Sequence, residues 1–181
     1  MQGHGLERFI GEVRSAWGPL TSELVGATRR AAEALAAAPA DEPWLAELHR
    51  SGPASAELHR DPEHGFILLA HTEHAGLYRP PHDHGRAWVV YAVQRGEIEM
   101  RTFARIDEAA GGGRLVQRDS LVLRPGEAQA YLPGDIHDTR CLSGTALLFR
   151  FTERDLKLEE QLAHSLTRYP APKGGWRAGG Q

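Results

Sequence analysis

The sequence contains a single cysteine, Cys141, among its 181 residues, so no disulfide bond can form within the chain. This scarcity of cysteine favours a reducing environment, and we expect a cytoplasmic protein. No apolar stretch approaches the length of a membrane span, and the first residues lack the basic region and apolar core of a signal peptide. The net charge is -3 and lysine and arginine are not clustered, which argues against a nucleic-acid-binding protein.

The composition is that of a globular chain long enough for one domain with a core, since 41% of residues are hydrophobic and 25% are charged. Over residues 1–55, apolar positions at helical spacing predict a helical segment that packs on the rest of the domain. Over residues 56–153, short alternating or apolar segments between Pro/Gly turns predict a sandwich or barrel. Residues 154–181 predict a short helix from Asp155 to Leu166 and an irregular tail that contains Trp176.

Two histidines separated by one residue, His82 and His84, lie before the β-rich segment Trp88–Val93. Side chains of a strand alternate between its faces, so an extended backbone would place both imidazoles on one face and Asp83 on the other. Imidazole binds zinc, iron, copper and nickel. The pair therefore indicates a metal site, the alternative being two exposed histidines on an edge strand.

A third histidine, His137, follows a Pro133-Gly134 turn and precedes another predicted strand. Three imidazoles leave coordination positions open on a metal, which is the pattern of catalytic sites, whereas structural zinc sites are closed and rich in cysteine. His71 and His74 lie nearby in sequence, and we interpret them as surface or loop residues. The remaining histidines have no partner at ligand spacing and are predicted to be solvated: His4, His49, His59, His64 and His164.

Taken together, these motifs resemble the two conserved motifs of the cupin superfamily. The matching residues are Gly76-x5-His82-x-His84, Gly96 at a turn, Gly126, and Pro133-Gly134-x-x-His137. The resemblance covers about residues 56–152. It implies a mainly β fold, a double-stranded β-helix (jelly-roll-like barrel) with the metal inside, preceded here by N-terminal α-helices and followed by a short C-terminal helix and tail.

Most cupins carry a glutamate ligand a few residues after the second histidine, but residues 86–89 contain no carboxylate. The chain therefore resembles the three-histidine branch, the cysteine dioxygenase-like thiol dioxygenases. This resemblance implies a mononuclear non-heme Fe(II) bound by His82, His84 and His137. It also implies O2 as co-substrate and a small thiol oxidised to a sulfinate. Arg60 matches in position the arginine that holds the substrate carboxylate, the alternative being a surface residue.

Two departures from this branch concern the barrel interior. The cysteine that crosslinks to a tyrosine is replaced by Val89, and the Ser-His-Tyr triad of the last strand would fall near Leu148, Arg150 and Thr152. An inward-pointing Arg150 would place a cation near the metal, where it could bind an anionic substrate or stabilise superoxide. Tyr91 shares a strand face with Val89 and could supply a phenol, the alternative being a core tyrosine.

Other functions are compatible with the same ligands, because cupins host many activities. One is a different metal-dependent enzyme, such as a carbon-carbon cleaving dioxygenase, an isomerase or a lyase, with manganese, zinc or nickel. Another is a non-catalytic cupin that binds a metal or small molecule. We expect a small-molecule substrate, no nucleic-acid or membrane partner, and consider a homodimer because paired barrels are common in cupins.

Overall fold

The computed structural model describes residues 4–107, 113–162 and 166–170. The N-terminal region is helical, as predicted, because apolar residues such as Phe9 and Val13 form one buried face of the first helix. The Thr21 side chain accepts a hydrogen bond from the Leu24 N–H and caps the second helix. The helices that precede the first strand are α1 (His4–Ala16), α2 (Ser22–Ala36) and α3 (Pro43–Ser51).

The rest of the described chain is mainly β structure. The strands are β1 (Ala56–Arg60), β2 (Ile67–His74), β3 (Tyr78–His82), β4 (Val89–Arg95), β5 (Ile98–Asp107), β6 (Gly113–Leu123), β7 (Ala128–Tyr131), β8 (Ile136–Cys141) and β9 (Thr145–Thr152). A short helix, α4 (Leu156–Gln161), follows the last strand.

The strands form two antiparallel sheets. One has five strands in the order β1-β2-β9-β4-β7, and the other has four in the order β3-β8-β5-β6. Apart from the consecutive pairs β1-β2 and β5-β6, neighbouring strands in the sheets are not consecutive in sequence, so the chain passes back and forth between the sheets as it winds. This arrangement, with helices before it and a short helix after it, is the predicted double-stranded β-helix of the cupin fold, and the fold prediction is confirmed.

The five-stranded sheet has an apolar layer on each of its faces. On its outer face, alternate residues such as Leu68, Val90 and Phe149 pack against α1, α2 and α3 in one continuous core. On its inner face, residues such as Val93 and Leu148 pack against residues of the four-stranded sheet. Strand periodicity therefore decides which side chains meet the helices and which enter the barrel.

The structure differs from the predictions after the barrel. The last helix is shorter than the predicted Asp155–Leu166, and residues 166–170 instead run beside β3, where Arg168 forms a bridge with His82. Trp176 and most of the predicted tail lie outside the described residues. Among the helices described, none is both long enough and apolar enough to span a membrane.

Candidate metal centre and its cavity

The three predicted ligands come together between the sheets. His82 at the end of β3 is paired directly with His137 of β8, which brings their rings to 4.6 Å between centroids. The ring of His84 lies 5.1 Å from each of the other two. One nitrogen from each ring can be chosen so that all three lie within 4.8 Å of one another.

The route by which His84 joins the cluster differs from the prediction. Strand β3 ends at His82, so His84 lies in the loop after it and not on the same strand. The loop turns at Gly85, whose φ of 58° is in the left-handed region. The Asp83 carboxylate points elsewhere and accepts hydrogen bonds from the N–H groups of Gly85 and Thr167 and from the Tyr169 hydroxyl.

The three rings have the chemistry of metal ligands. The Nδ1–H of His82 donates to the Pro80 carbonyl at 2.8 Å, which leaves its Nε2 with a lone pair. In the described part of the chain, Nδ1 of His84 and both ring nitrogens of His137 are buried without a hydrogen-bond partner. Buried polar atoms are rarely left unpaired, and a metal ion would satisfy them.

Burial also keeps these imidazoles neutral, as metal ligands must be. Burial, with smaller contributions from His82 and Arg150, lowers the pKa of His84 to about 2. Burial is also the largest cause that holds the pKa of His137 well below its usual value. Nearby Asp138 is engaged elsewhere, since it pairs with Arg101 and accepts a hydrogen bond from the Tyr78 hydroxyl. The residues therefore fit a divalent metal with three imidazole ligands.

Two tyrosines hold the histidine rings. The Tyr91 hydroxyl lies 3.3 Å from Nε2 of His84, and burial raises the pKa of Tyr91, so its phenol stays protonated. Tyr131 stacks on His137 with 4.0 Å between ring centroids and 18° between planes. The sequence analysis included Tyr91 but missed Tyr131. Tyr131 is opposite Val89 and therefore lies on the inner face of β7, and the alternation of side chains along the strand was the available signal.

A cavity of about 540 Å³ extends from the histidine cluster between the two sheets. Apolar side chains such as Ile98, Met100 and Leu148 form part of its wall. His82, His84, Tyr91 and Arg150 also line it. Of the residues proposed from the sequence, the structure therefore brings these together with His137, which is completely buried behind them.

Arg150 occupies the inward position that the alternation predicts. It is paired directly with Tyr91 across β9 and β4, so both side chains lie on one face of the sheet. Within the described residues Arg150 makes no ion pair, and its Nε is buried without a hydrogen-bond partner. Burial is the largest cause of the lowered pKa values of His71 and His84, and the positive charge of Arg150 is a smaller one.

Arg60 is placed differently from the prediction. It lies on the edge strand β1, is exposed, and does not line the cavity. Its guanidinium donates to both carboxylate oxygens of Glu57 at 3.0 and 2.7 Å and to Asp155 at 2.7 Å. The position matches the resemblance, but these surface carboxylates hold the side chain outside the barrel, so we remove Arg60 from the candidate site.

The structure also corrects the interpretation of His71, which is buried and lines the cavity. His71 lies on the same strand face as Leu69, which is opposite Arg150, but residues 67–70 are apolar on both faces, so the sequence did not show which face is inward. Glu73, on the same strand face, lines the cavity too, and its Oε1 accepts a hydrogen bond from Arg79 Nε at 2.8 Å. The other histidines lie outside the cluster: His4 and His74 are exposed, His49, His59 and His64 are half-buried, and His164 lies outside the described residues.

Residues 166–170 form one side of the cavity. The Asp83 N–H donates to the Thr167 carbonyl, and the Tyr169 N–H donates to the Pro81 carbonyl at 2.8 Å. These bonds extend the ladder of β3, the strand that ends in the candidate metal ligand His82. Leu166, Arg168 and Tyr169 line the cavity as a result.

Fold and site together define a cupin-type barrel with a candidate three-histidine metal centre. No protein-family model and no curated protein sequence matches the chain. Similar solved structures include the DMSP lyase DddQ from Ruegeria pomeroyi DSS-3, with TM-score 0.44 and 22% identity over 57% of this chain and 48% of that one. The chain thus spans about half the length of DddQ.

Two further similar structures cover more of their own length. KdgF from a Halomonas species has TM-score 0.43 and 19% identity over 57% of this chain and 81% of that one. A cupin superfamily protein from Desulfitobacterium hafniense DCB-2 has TM-score 0.42 and 15% identity over 56% of this chain and 76% of that one. The fold assignment rests on the strand order itself.

Proposed function

We propose that the protein is a mononuclear non-heme Fe(II) dioxygenase that oxidises a small acidic thiol to a sulfinate with O2. One observation carries the proposal: the three-histidine cluster opens onto the same cavity as Arg150, a cation without an ion pair in the described residues. Zinc, manganese and nickel are the alternative metals, because the same ligands accept them.

The overall reaction needs no further reductant. The thiolate RS⁻ and O2 give RSO2⁻, with two S–O bonds formed and the O–O bond broken. The sulfur loses the four electrons that O2 gains, so atoms and electrons balance. Bound Fe(II) would supply open coordination positions for thiolate and O2 and the capacity to pass electrons between them. Three neutral ligands leave its charge uncompensated, which favours an anionic thiolate.

The chain's own residues orient the substrate and exclude water. The Arg150 guanidinium can bind a carboxylate through two parallel hydrogen bonds, and in a cavity partly walled by apolar residues this contact is stronger than in water. Tyr91 stays protonated and offers a hydrogen-bond donor next to His84. Ile98, Met100 and Leu148 restrict the space to a small molecule.

Metal analysis of the purified protein, followed by oxygen-electrode measurements on the iron-loaded form with small acidic thiols, tests this proposal. We expect stoichiometric iron, thiol-dependent O2 uptake, and a sulfinate product. In Arg150→Ala the KM for the thiol should rise about 10- to 100-fold, because a charge-assisted hydrogen bond is lost.

Arg60→Ala is the matched control, since it removes an arginine that binds surface carboxylates and does not line the cavity. Its KM should stay within about twofold of the wild type. Iron-loaded protein without thiol-dependent O2 uptake would refute the dioxygenase and favour another metal-dependent cupin function. A cytoplasmic location and a homodimer remain predictions.

A further inference from the structure

A second polar group lies on the sheet that faces the metal ligands of β3 and β8. In the five-stranded sheet β9 lies between β2 and β4, with Arg150 opposite Leu69 on one side and opposite Tyr91 on the other. His71 is opposite Leu148, so it is the diagonal neighbour of Arg150 on the same face. A row of polar side chains therefore runs from Tyr91, beside the metal ligands, through Arg150 to His71.

The hydrogen bonding of His71 defines what its ring can accept. Its Nδ1 lies 3.2 Å from the Ala54 carbonyl oxygen, which can only accept, so Nδ1 carries the proton. Nε2 is then a lone-pair acceptor, and it is buried with no partner in the described residues. His71 is 9% exposed. Burial first, and then the charge of Arg150, lower its pKa to about 4, which keeps the ring neutral.

Glu73 supplies a second acceptor, two residues further along the same strand face. Its Oε1 accepts from Arg79, while Oε2 is buried and has no partner in the described residues. The side chain is 3% exposed. The wall of the cavity, to which Arg79, Lys157 and Arg168 also contribute, thus combines the Arg150 cation with two acceptor atoms that lack donors in the described residues. Unpaired buried acceptors are unfavourable, and a ligand that donates hydrogen bonds would satisfy them.

Building on the proposed function, we propose that His71 determines substrate specificity by accepting a hydrogen bond from the substrate. The substrate class is a small thiol whose acid group binds Arg150 and which carries a donor, a hydroxyl or an ammonium group, on a neighbouring carbon. Glu73 accepts from the same donor. His71 is a positioning residue, because it binds a part of the substrate that does not react.

Three thiols that differ in the donor group beside the acid test whether the donor contributes to binding. They are 3-mercaptopropionate, which has no donor beside the acid, 3-mercaptolactate, which has a hydroxyl, and cysteine, which has an ammonium group. Dissociation constants are measured by anaerobic calorimetry on zinc-loaded protein, which does not turn over. We expect at least one donor-bearing thiol to bind about 10-fold or more tightly than 3-mercaptopropionate. Equal binding of all three would overturn the proposal without any variant.

His71→Leu removes the acceptor, and His71→Met does so with a more flexible side chain if the first variant folds poorly. In either variant the preference should fall by about threefold or more, since only Glu73 is left to accept from the donor, while binding of 3-mercaptopropionate changes less than about threefold. His71→Gln keeps an acceptor oxygen and should retain part of the preference. His74→Leu is the matched control, because His74 is exposed on the same strand, and its preference should equal that of the wild type. An undiminished preference in His71→Leu and His71→Met would overturn the assignment.

Binding and turnover distinguish this proposal from the dioxygenase proposal. A preference that depends on His71, without O2 uptake from any thiol by the iron-loaded protein, would retain the recognition site and refute the dioxygenase. O2 uptake with the same preference in wild type and His71→Leu would retain the dioxygenase and refute the role of His71.

Discussion

His84 and His74 show how differently two histidines of one sequence are used. His84 is 3% exposed, is surrounded by His82, His137 and Tyr91, and has a buried Nδ1 without a partner in the described residues. His74 ends β2 and is exposed. The sequence predicted a surface or loop position for both His71 and His74, which is right for His74 and wrong for His71, because the apolar residues on both faces of β2 do not show which face is inward.

At the residue scale, His84→Ala should abolish stoichiometric metal binding, since it removes one of three ligands and leaves an incomplete site. Metal content after dialysis, measured by plasma mass spectrometry, should fall at least about 10-fold. His74→Ala is the control and should keep the wild-type metal content. Full metal content in His84→Ala would refute the ligand assignment.

At the scale of secondary-structure elements, two turns between strands place different demands on their glycines. Gly96 joins β4 to β5 with a φ of 82°, and a Cβ there would lie 2.7 Å from the Thr145 carbonyl oxygen. Gly126 joins β6 to β7 with a φ of 86°, but a Cβ there would meet nothing within 4 Å. Both turns need a left-handed residue, and only the first also requires the absence of a side chain.

The two glycines therefore predict different costs for the same substitution. Gly126→Ala should lower the free energy of unfolding by about 1 kcal/mol, the cost of the left-handed conformation. Gly96→Ala should lower it by about 3 kcal/mol, because the backbone of β9 must also move. Urea denaturation of the two variants measures the difference. Equal losses would show that the close approach of β9 does not constrain this turn.

A second prediction at this scale concerns Asp83, which joins residues 166–170 to the loop that carries the candidate ligand His84. Asp83→Ala removes the acceptor for the Thr167 N–H and the Tyr169 hydroxyl. Hydrogen exchange at the Thr167 and Tyr169 amides should accelerate at least about 10-fold. Asp135→Ala is the control, since Asp135 accepts from Leu132 within its own turn. Unchanged exchange in Asp83→Ala would show that the backbone bonds to β3 hold this segment unaided.

At the scale of the whole molecule, the buried neutral imidazoles predict sensitivity to acid. The folded-state pKa of His71, about 4, lies below its ordinary value of 6.5. Its contribution to stability is therefore complete above pH 6.5 and is lost as the pH falls towards 4. His84 and His137 act in the same direction, because their pKa values are lowered too.

Urea denaturation of metal-free protein at pH 7.5 and pH 5 measures this effect. His71 alone should account for a loss of about 2 kcal/mol between these pH values. His71→Gln should reduce the loss by that amount, while His74→Gln should leave it unchanged. An equal pH dependence in wild type and His71→Gln would refute the lowered pKa.

Strand periodicity and motif spacing were enough to predict the barrel, the clustering of the three candidate ligands, and the inward positions of Tyr91 and Arg150. These features follow from local rules, because the alternation of a strand decides the face of each side chain before any partner is known. The spacing of His82 and His84 predicted that the two rings lie together, as they do, but through an incomplete argument, since a loop and not the same strand carries His84.

Long-range packing decided the remaining features. Arg60 pairs with Asp155, 95 residues away, and is held outside the barrel, while β9 packs beside β2 and so places Arg150 next to His71 in the cavity wall. Residues 166–170 join β3 through backbone bonds that no side-chain pattern signals. Which group pairs with a charge, and which segment pairs with a free strand edge, depends on the distant segments that the fold brings together. The local sequence around the charge or the edge does not determine them.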